Sequence, residues 1–181
     1  MPLGPNPIVQ LDPKARILIA SQAPGSVAHN KSIPFMDKSG ERLRDWMGIS
    51  EQQFYNSENV AILPMGFCYP GKGQSGDLPP AKVCADKWRV KVLSELKNIQ
   101  LTLLVGNFAQ KWHLQHQLEK LSENQLSKTL TQRVICWHDY LPKYFPVPHP
   151  SPRNNIWLKR NTWFEAELVP ELRKRVGNIL R

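Results

Sequence analysis

The strongest constraint on the fold is a set of short aliphatic runs that lack polar alternation. Residues 16–20, 60–63 and 101–105 each read in this way, as do strands that are buried on both faces of a parallel sheet. Residues 132–137 predict a fourth strand. Helical segments separate these runs, so the sequence predicts an α/β fold, namely a three-layer α/β/α sandwich with a central, mostly parallel four-stranded sheet.

The length of 181 residues suits a single domain over residues 1–181. Within it, apolar spacing, caps and breakers identify the helical segments. Residues 1–14 read as an extended, proline-rich lead-in. The predicted helices are residues 39–47 ending at Gly48, a short helix opened by a capping box at residues 50–53, residues 82–97 with Ala85, Trp88, Val92 and Leu96 on one face, a helix after Gly106 carrying Phe108 and Trp112, and residues 162–180 with a break near Pro170.

Three long loops rich in chemistry follow the predicted strands, at residues 21–37, 64–80 and 149–155. In open α/β sheets, ligands bind beyond the carboxyl ends of the strands. We therefore expect these three loops to converge on one site.

The net charge narrows the class of partner. The chain has 24 Lys and Arg against 15 Asp and Glu, a formal charge of +9, which favours nucleic acid or an anionic membrane surface. The apolar runs are too short to span a bilayer, and the start lacks the apolar core of a signal peptide. Cys68, Cys84 and Cys136 cannot all pair and form no CxxC motif, which indicates reduced thiols. We expect a cytoplasmic protein without a metal.

Several common active-site patterns are missing from the sequence. There is no G-x-G-x-x-G fingerprint, no phosphate loop ending in Gly-Lys-Ser/Thr and no G-x-S-x-G elbow. His113, His116 and Glu119 recur at three-residue spacing, which fits half a metal site, but no H-E-x-x-H pattern accompanies them. A solvated helix face is the favoured interpretation of these three residues.

Three segments have residues suited to chemistry on an anionic or planar ligand. In His149-Pro-Ser-Pro-Arg153 two prolines fix the backbone, so His149 can donate to developing negative charge and Arg153 can grip a phosphate; a structural loop is an equal alternative. Phe35 can stack on a base or pack in the core, and Asp37 can orient water or cap a helix. Ser21-Gln-Ala-Pro-Gly25 offers backbone N–H groups or is a simple turn.

Taken together, these segments resemble the uracil-DNA glycosylase superfamily, from about Arg16 to the C-terminal helix. Residues 21–25 are similar to its first motif. Residues 28–40 resemble the segment in which a Phe stacks on the extruded base and, in one branch of bacterial and archaeal enzymes, a catalytic Asp precedes Ser-Gly. Residues 149–154 are similar to the second motif, especially that of the single-strand-selective branch. Residues 65–71 resemble an uncharacterised bacterial branch.

The resemblance implies a monomeric DNA glycosylase of base-excision repair that flips and excises uracil or another deaminated base. Catalysis would fall to Asp37 at the sugar and His149 at the leaving base. The other implied contacts are the backbone of Gln22 and Ala23 and the ring of Phe35 on the base, and Ser151, Arg153 and Asn154 on the DNA. The charge pattern adds Lys72, Lys159 and Arg160 to the expected phosphate-binding face, ahead of Arg173, Lys174 and Arg175.

The sequence also departs from the superfamily pattern at three points. Ala23 stands where several branches have a catalytic Asp or Asn, and the segment ending at Met65 lacks the Asn that reads uracil in several branches. Three cysteines are too few for the iron–sulfur branches, so we expect no cofactor. A nucleic-acid-binding protein of the same fold without the chemistry remains the alternative, followed by a glycosidase of free nucleosides.

Overall fold

A computed structural model describes residues 4–74, 76–116 and 129–181. Its main sheet has four strands, and each strand is parallel to its neighbours. Counting the strands along the chain, the second lies beside the first, the first beside the fifth, and the fifth beside the sixth. The remaining two strands form a small antiparallel hairpin. In chain order the strands are β1 (Ile17–Ala20), β2 (Val60–Ile62), β3 (Lys72–Gly73), β4 (Gly76–Asp77), β5 (Leu101–Val105) and β6 (Tyr144–Val147).

Helices connect the strands of the main sheet and follow its last strand. In the described part of the chain they are α1 (Ser26–Lys31), α2 (Lys38–Met47), α3 (Glu51–Phe54), α4 (Lys82–Cys84), α5 (Val90–Glu95), α6 (Gly106–His116), α7 (Leu130–Ile135), α8 (Asn155–Arg160) and α9 (Val169–Leu180). Two π-helical segments, Ala85–Arg89 and Phe164–Leu168, and two 3₁₀ segments, Trp137–Tyr140 and Pro152–Asn154, add to them.

The predicted α/β fold with a parallel four-stranded sheet is confirmed, and the reason lies in strand burial. Alternate residues of β1 enter different cores: Ile17 and Ile19 pack in the cluster that contains Trp46 of α2, whereas Leu18 packs in the cluster with Leu96. All four residues of β1 are buried. A strand covered by helices on both faces needs apolar side chains at every position, which is why it shows no alternation.

The fourth strand was predicted in the wrong place. Residues 132–137 lie mostly in α7, which a capping box opens: Gln132 N–H donates to the Thr129 hydroxyl, and the Gln132 side chain accepts from Thr129 N–H. Val134 is buried and Ile135 is exposed in this helix. The actual fourth strand is β6, which contains Pro146 and lies at an edge of the sheet, where a strand tolerates the missing N–H of proline.

The helices around residues 38–54 follow the sequence signals closely. Gly48 ends α2 with φ +67°, the left-handed conformation that glycine adopts without strain. Ser50 and Gln53 form the predicted capping box of α3. The break expected near Pro170 takes the form of the π-helical segment Phe164–Leu168, which passes directly into α9 with Pro170 in its first turn.

Two expectations about the helices are wrong. Trp88 was placed on one helix face with Ala85, Val92 and Leu96 but is 55% exposed, whereas Ala85 and Leu96 are buried. It lies in the π-helical segment Ala85–Arg89, where the wider turn brings Arg89 inward instead. His113 was expected on a solvated face but is buried, with Nε2 2.8 Å from a guanidinium nitrogen of Arg89. Glu119, its expected neighbour, lies outside the described residues.

The buried Arg89 holds the carboxyl end of β2. Its guanidinium donates to the carbonyl oxygens of Leu63 and Pro64 at 3.0 and 2.9 Å, and burial lowers its pKa to about 9. Backbone carbonyls therefore take the place of a carboxylate partner. The contact fixes the path of the chain where it leaves the sheet toward the long 64–80 loop.

The lead-in is extended and lies along β2. Gln10 forms an antiparallel bridge with Ile62, and its side chain donates to the carbonyls of Phe54 and Val60. Ile8 is buried. Among the described residues, none of the helices has the length and apolar character needed to cross a membrane.

Candidate active site

The three loops meet at a cavity of about 710 Å³ beyond the carboxyl ends of the strands. Segments 21–28, 34–41 and 149–154 form most of its wall, and residues of the 64–80 loop together with Ile8 and Ile62 complete it. The predicted convergence therefore holds in the structure. The predicted site residues that line the cavity are Gln22, Ala23, Phe35, Asp37, His149, Ser151, Arg153 and Asn154.

The first segment leaves β1 and is tied to the chain that leaves β2. The carbonyls of Ser21 and Gln22 accept from the N–H groups of Met65 and Gly66, at 2.8 and 2.9 Å. These hydrogen bonds continue the pairing of β1 and β2 beyond the carboxyl ends of both strands. They hold Gln22 in place at the wall of the cavity.

Asp37 caps a helix and also lines the cavity. It caps α2, since its Oδ1 accepts from Gly40 N–H at 3.0 Å. Its other oxygen, Oδ2, lies 3.9 Å from the position that a Cβ on Gly25 would occupy, at the cavity wall. The cap therefore holds the carboxylate while one oxygen remains directed toward the first motif.

Phe35 is held in an unusual backbone conformation next to this cap. Its φ is +55°, in the left-handed region that bulky residues rarely adopt, and its ring meets the ring of Phe54 edge-on with centroids 6.2 Å apart. The side chain is half-buried and lines the cavity. A Cβ on Gly40 would overlap the Phe35 carbonyl, so glycine at position 40 allows this approach.

His149 is prepared as a neutral hydrogen-bond donor. Its Nδ1 accepts from Ser151 N–H at 3.2 Å, which assigns the proton of the neutral ring to Nε2. Burial lowers the pKa of His149 below its ordinary 6.5, and the carboxylates of Asp37 and Asp77 act in the opposite direction with less effect. The ring is therefore neutral at pH 7, and Nε2–H is the donor it can offer to a ligand.

The loop that carries His149 is braced from within and from α2. The Asn154 amide donates to the His149 carbonyl at 2.6 Å, and the Ser151 hydroxyl accepts from Arg153 N–H at 3.3 Å. Arg42 donates to the carbonyls of Pro150 and Ser151 at 3.2 and 3.4 Å. The Ser151 and Asn154 side chains thus shape the loop, and Arg42 connects it to the helix that Asp37 caps.

Asp77 brings a second carboxylate to the cavity, and no motif in the sequence points to it. Its Oδ1 accepts from the Tyr69 hydroxyl at 3.1 Å, and its Oδ2 lies 3.9 Å from the Cβ position of Gly25. The one signal in the sequence is that Asp77 is the only acidic residue of the 64–80 loop. The contact of Arg42 with the His149 loop could not be predicted from the sequence either, because its partners lie more than 100 residues away along the chain.

The basic residues expected on the DNA face occupy different places. Arg153 lines the cavity and is exposed, and its guanidinium takes the space that a side chain on Gly76 would fill. Lys72 is exposed on β3 of the hairpin and does not line the cavity. Lys159 and Arg160 are exposed on α8, directly after the His149 loop.

A metal site finds no support in the described residues. Over residues 4–74, 76–116 and 129–181, His, Cys, Asp and Glu side chains nowhere form a group of three that could hold a metal ion. Cys68, Cys84 and Cys136 are free thiols.

The fold and the cavity together define a class of protein: a parallel α/β domain in which a capped carboxylate, a neutral imidazole and an aromatic ring surround one ligand-sized space. Enzymes that act on a flipped base hold that base in such a pocket, by stacking and hydrogen bonds. A comparison with family models matches residues 8–173 to the Uracil DNA glycosylase superfamily. Because this match covers most of the chain, the protein belongs to that superfamily.

Proposed function

We propose that the protein is a DNA N-glycosylase that hydrolyses the bond between deoxyribose and uracil or another deaminated base. One observation supports this most directly: Asp37, His149 and Phe35 come from two distant segments and line a single cavity. Glycosidic cleavage passes through an oxocarbenium-like sugar and a departing base anion. The two groups that such a reaction needs, a carboxylate and a hydrogen-bond donor, are both present.

His149 would stabilise the departing base. The Ser151 N–H bond to Nδ1 leaves Nε2–H as a donor for a carbonyl oxygen of the base, on which negative charge grows as the bond breaks. A neutral donor suits this task because it needs no proton transfer to the oxygen. The internal bonds of the loop hold the ring in place before the base arrives.

Asp37 would act on the sugar. Its Oδ2 can accept a hydrogen bond from the attacking water, and its charge stabilises the oxocarbenium-like sugar. In this chain Ala23 stands where several branches have an acidic or amide residue, but Asp37 Oδ2 comes close to Gly25, two residues further along the same segment. Asp37 therefore supplies a carboxylate to the first motif from outside it.

Phe35 and the first motif would hold the base. The half-buried ring of Phe35 offers a stacking surface in the cavity, while the N–H groups of Gln22 and Ala23 would donate to base oxygens. The base has to leave the DNA stack to reach this cavity, so the proposal includes base flipping.

The DNA backbone would lie across the exposed cations around the cavity. Arg153 is the member of this face that borders the cavity itself, and Lys72 lies on the neighbouring hairpin. The net charge of +9 supports the same partner. We further propose a cytoplasmic monomer without a cofactor that acts in base-excision repair as a single domain.

The experiment is base release from single- and double-stranded oligonucleotides that contain uracil, hypoxanthine or xanthine. We expect release from at least one of them, and we expect Asp37→Asn and His149→Ala each to lower the single-turnover rate by about 10²-fold or more. Lys174→Ala, on the terminal helix, is the matched control and should retain the rate. Absence of release from every substrate, with binding retained, would refute the enzymatic proposal.

Ala23 favours one second candidate, a nucleic-acid-binding protein that keeps the fold without the chemistry. In that case Asp37→Asn and His149→Ala would leave DNA affinity unchanged, and there would be no turnover to lose. Measuring affinity and base release on the same variants therefore separates the two candidates.

A further inference from the structure

We propose that Asp77 is a second catalytic carboxylate, and that the open space at Gly25 holds the attacking water between Asp77 and Asp37. This inference rests on the proposed glycosylase function and assigns the nucleophile of that reaction a place. The two side chains come from different loops, since Asp37 precedes α2 and Asp77 ends the hairpin strand β4.

The two carboxylates are arranged in the same way. In each, Oδ1 is held by one donor of the protein, Gly40 N–H for Asp37 and the Tyr69 hydroxyl for Asp77. In each, Oδ2 lies 3.9 Å from the Cβ position of Gly25. The two Oδ2 atoms are therefore at most twice that distance apart, and both are held by contacts on the far side of the carboxylate.

Gly25 leaves the space between them open. Among the described residues, and apart from Gly25 and its two chain neighbours, these two oxygens are the only atoms within 4 Å of its Cβ position, so that position is bordered by acceptors and not by packed side chains. Gly25 itself has φ −82° and ψ 176°, an extended conformation that any residue adopts. Backbone geometry therefore does not require glycine here, and the missing side chain makes room for a small ligand.

Water fits this space chemically. It has two O–H groups to donate to two carboxylates, which leaves an oxygen lone pair to attack the sugar. His149 lines the same cavity and feels the charge of both carboxylates, so the leaving-group donor is close by. The position of Gly25 in the segment that would contact the base brings the water to the base–sugar junction.

The reaction step balances with the groups present. The water oxygen forms a bond to C1′, and the C1′–N bond breaks with its electron pair on the base, which the Nε2–H of His149 stabilises. One proton of the water passes to a carboxylate and then to solvent, and the departed base takes up a proton from solvent. The net reaction is hydrolysis, with two carboxylates stabilising the positive charge on the sugar in between.

Gly25→Ala is the most direct test, because its methyl group would crowd a water held between Gly25 and the two carboxylates, at a backbone conformation that alanine accepts. We expect the single-turnover rate of base release to fall about 10²-fold. Affinity for DNA containing uncleavable 2′-fluoro-2′-deoxyuridine should stay within about twofold of wild type. If the space were merely open, the added methyl group would make ordinary contacts and leave the rate unchanged.

Asp77→Asn and Asp37→Asn complete the test. Each should lower the rate by about 10²-fold, and the double variant should lose much less than the product of the two losses, because both act on one water. Glu95→Gln removes an exposed carboxylate of α5 that does not line the cavity and serves as the control for charge alone; we expect it to retain the rate.

Two results would overturn the inference, and they differ from each other. If wild type releases base but Gly25→Ala and Asp77→Asn retain its rate, Asp37 works alone and the proposed glycosylase function stands. If wild type releases no base from any substrate, the glycosylase proposal fails and the assignment of Asp77 fails with it. Thermal melts of each variant show whether a lost rate reflects loss of folding.

Discussion

Replacing Gly40 by alanine tests the connection between the backbone of the Phe35–Gly40 segment and its chemistry. A Cβ at position 40 would lie 2.7 Å from the carbonyl carbon of Phe35 and 2.8 Å from its Cβ, and it would overlap the carbonyl oxygen. The obstacle is backbone and cannot rotate away. The segment would have to move, although Gly40 also provides the N–H that holds Asp37.

The expected cost follows from these contacts. Overpacking typically costs about 1–3 kcal/mol, and an immovable backbone neighbour places this case near the upper end. Displacement of Phe35 also weakens its edge-on contact with Phe54, for about 0.5–1.5 kcal/mol more. The better helix propensity of alanine returns up to about 1 kcal/mol. We therefore expect a loss of about 2–4 kcal/mol in the free energy of unfolding, or roughly a 10 °C drop in Tm.

The assays are thermal unfolding and single-turnover base release well below the melting temperature. Because a carboxylate misplaced by about 1 Å can cost 10²-fold in rate, we expect a loss of that order in the folded fraction of Gly40→Ala. Gly177→Ala is the matched control. Gly177 lies in α9, and apart from its chain neighbours and the helix's own backbone no atom of the described residues lies within 4 Å of its Cβ position. The substitution should stabilise the protein by up to about 1 kcal/mol. A Gly40→Ala protein with wild-type Tm and rate would refute the reasoning.

Three further predictions concern the His149 loop and the DNA face. Arg42→Met removes the hydrogen bonds to the loop carbonyls and should lower the single-turnover rate about tenfold with little change in Tm. Arg42→Lys should restore part of the rate. Equal rates in wild type, Arg42→Met and Arg42→Lys would contradict a positioning role for Arg42. Because burial lowers the pKa of His149 in the folded protein, the unfolded chain binds the proton of this residue first as the pH falls below 6.5. Wild type should therefore lose stability below this pH relative to His149→Gln, which thermal melts at several pH values would reveal. Arg153→Ala should weaken DNA binding and reduce the slope of log affinity against log salt concentration by about one. Arg173→Ala breaks an exposed ion pair with Asp45 and should alter neither the affinity nor the slope. Equal effects of the two substitutions would argue against a localised DNA face.

Much of the fold follows from the sequence because buried parallel strands leave a simple pattern. Strands β1, β2 and β5 are continuous apolar runs, since helices cover both of their faces. The edge strand β6 escapes this pattern: Pro146 suggests a loop, and only its place at the edge makes the proline acceptable. The orientation of Trp88 was equally hidden, because a π-helical turn shifts the helix face without a clear sequence signal.

The candidate site was predictable where its residues are close together in the chain. Asp37 lies within a local cap and His149 within a proline-fixed loop, so their neighbours in sequence are also their neighbours in space. Arg42 and Asp77 depend on contacts between separate loops and helices, which local spacing does not encode.

Asp37 illustrates why structural and functional interpretations of a motif residue need not compete. The cap uses Oδ1, and the spacing of three residues to Gly40 that makes the cap also fixes the direction of Oδ2. The structural role is thus the means by which the carboxylate is positioned. The choice of substitution follows: asparagine caps a helix about as well as aspartate and removes only the charge, whereas alanine also removes the cap, at a cost of about 1 kcal/mol. Asp37→Asn therefore separates chemistry from folding, and a rate lost in Asp37→Ala alone would point to the cap and not to the carboxylate.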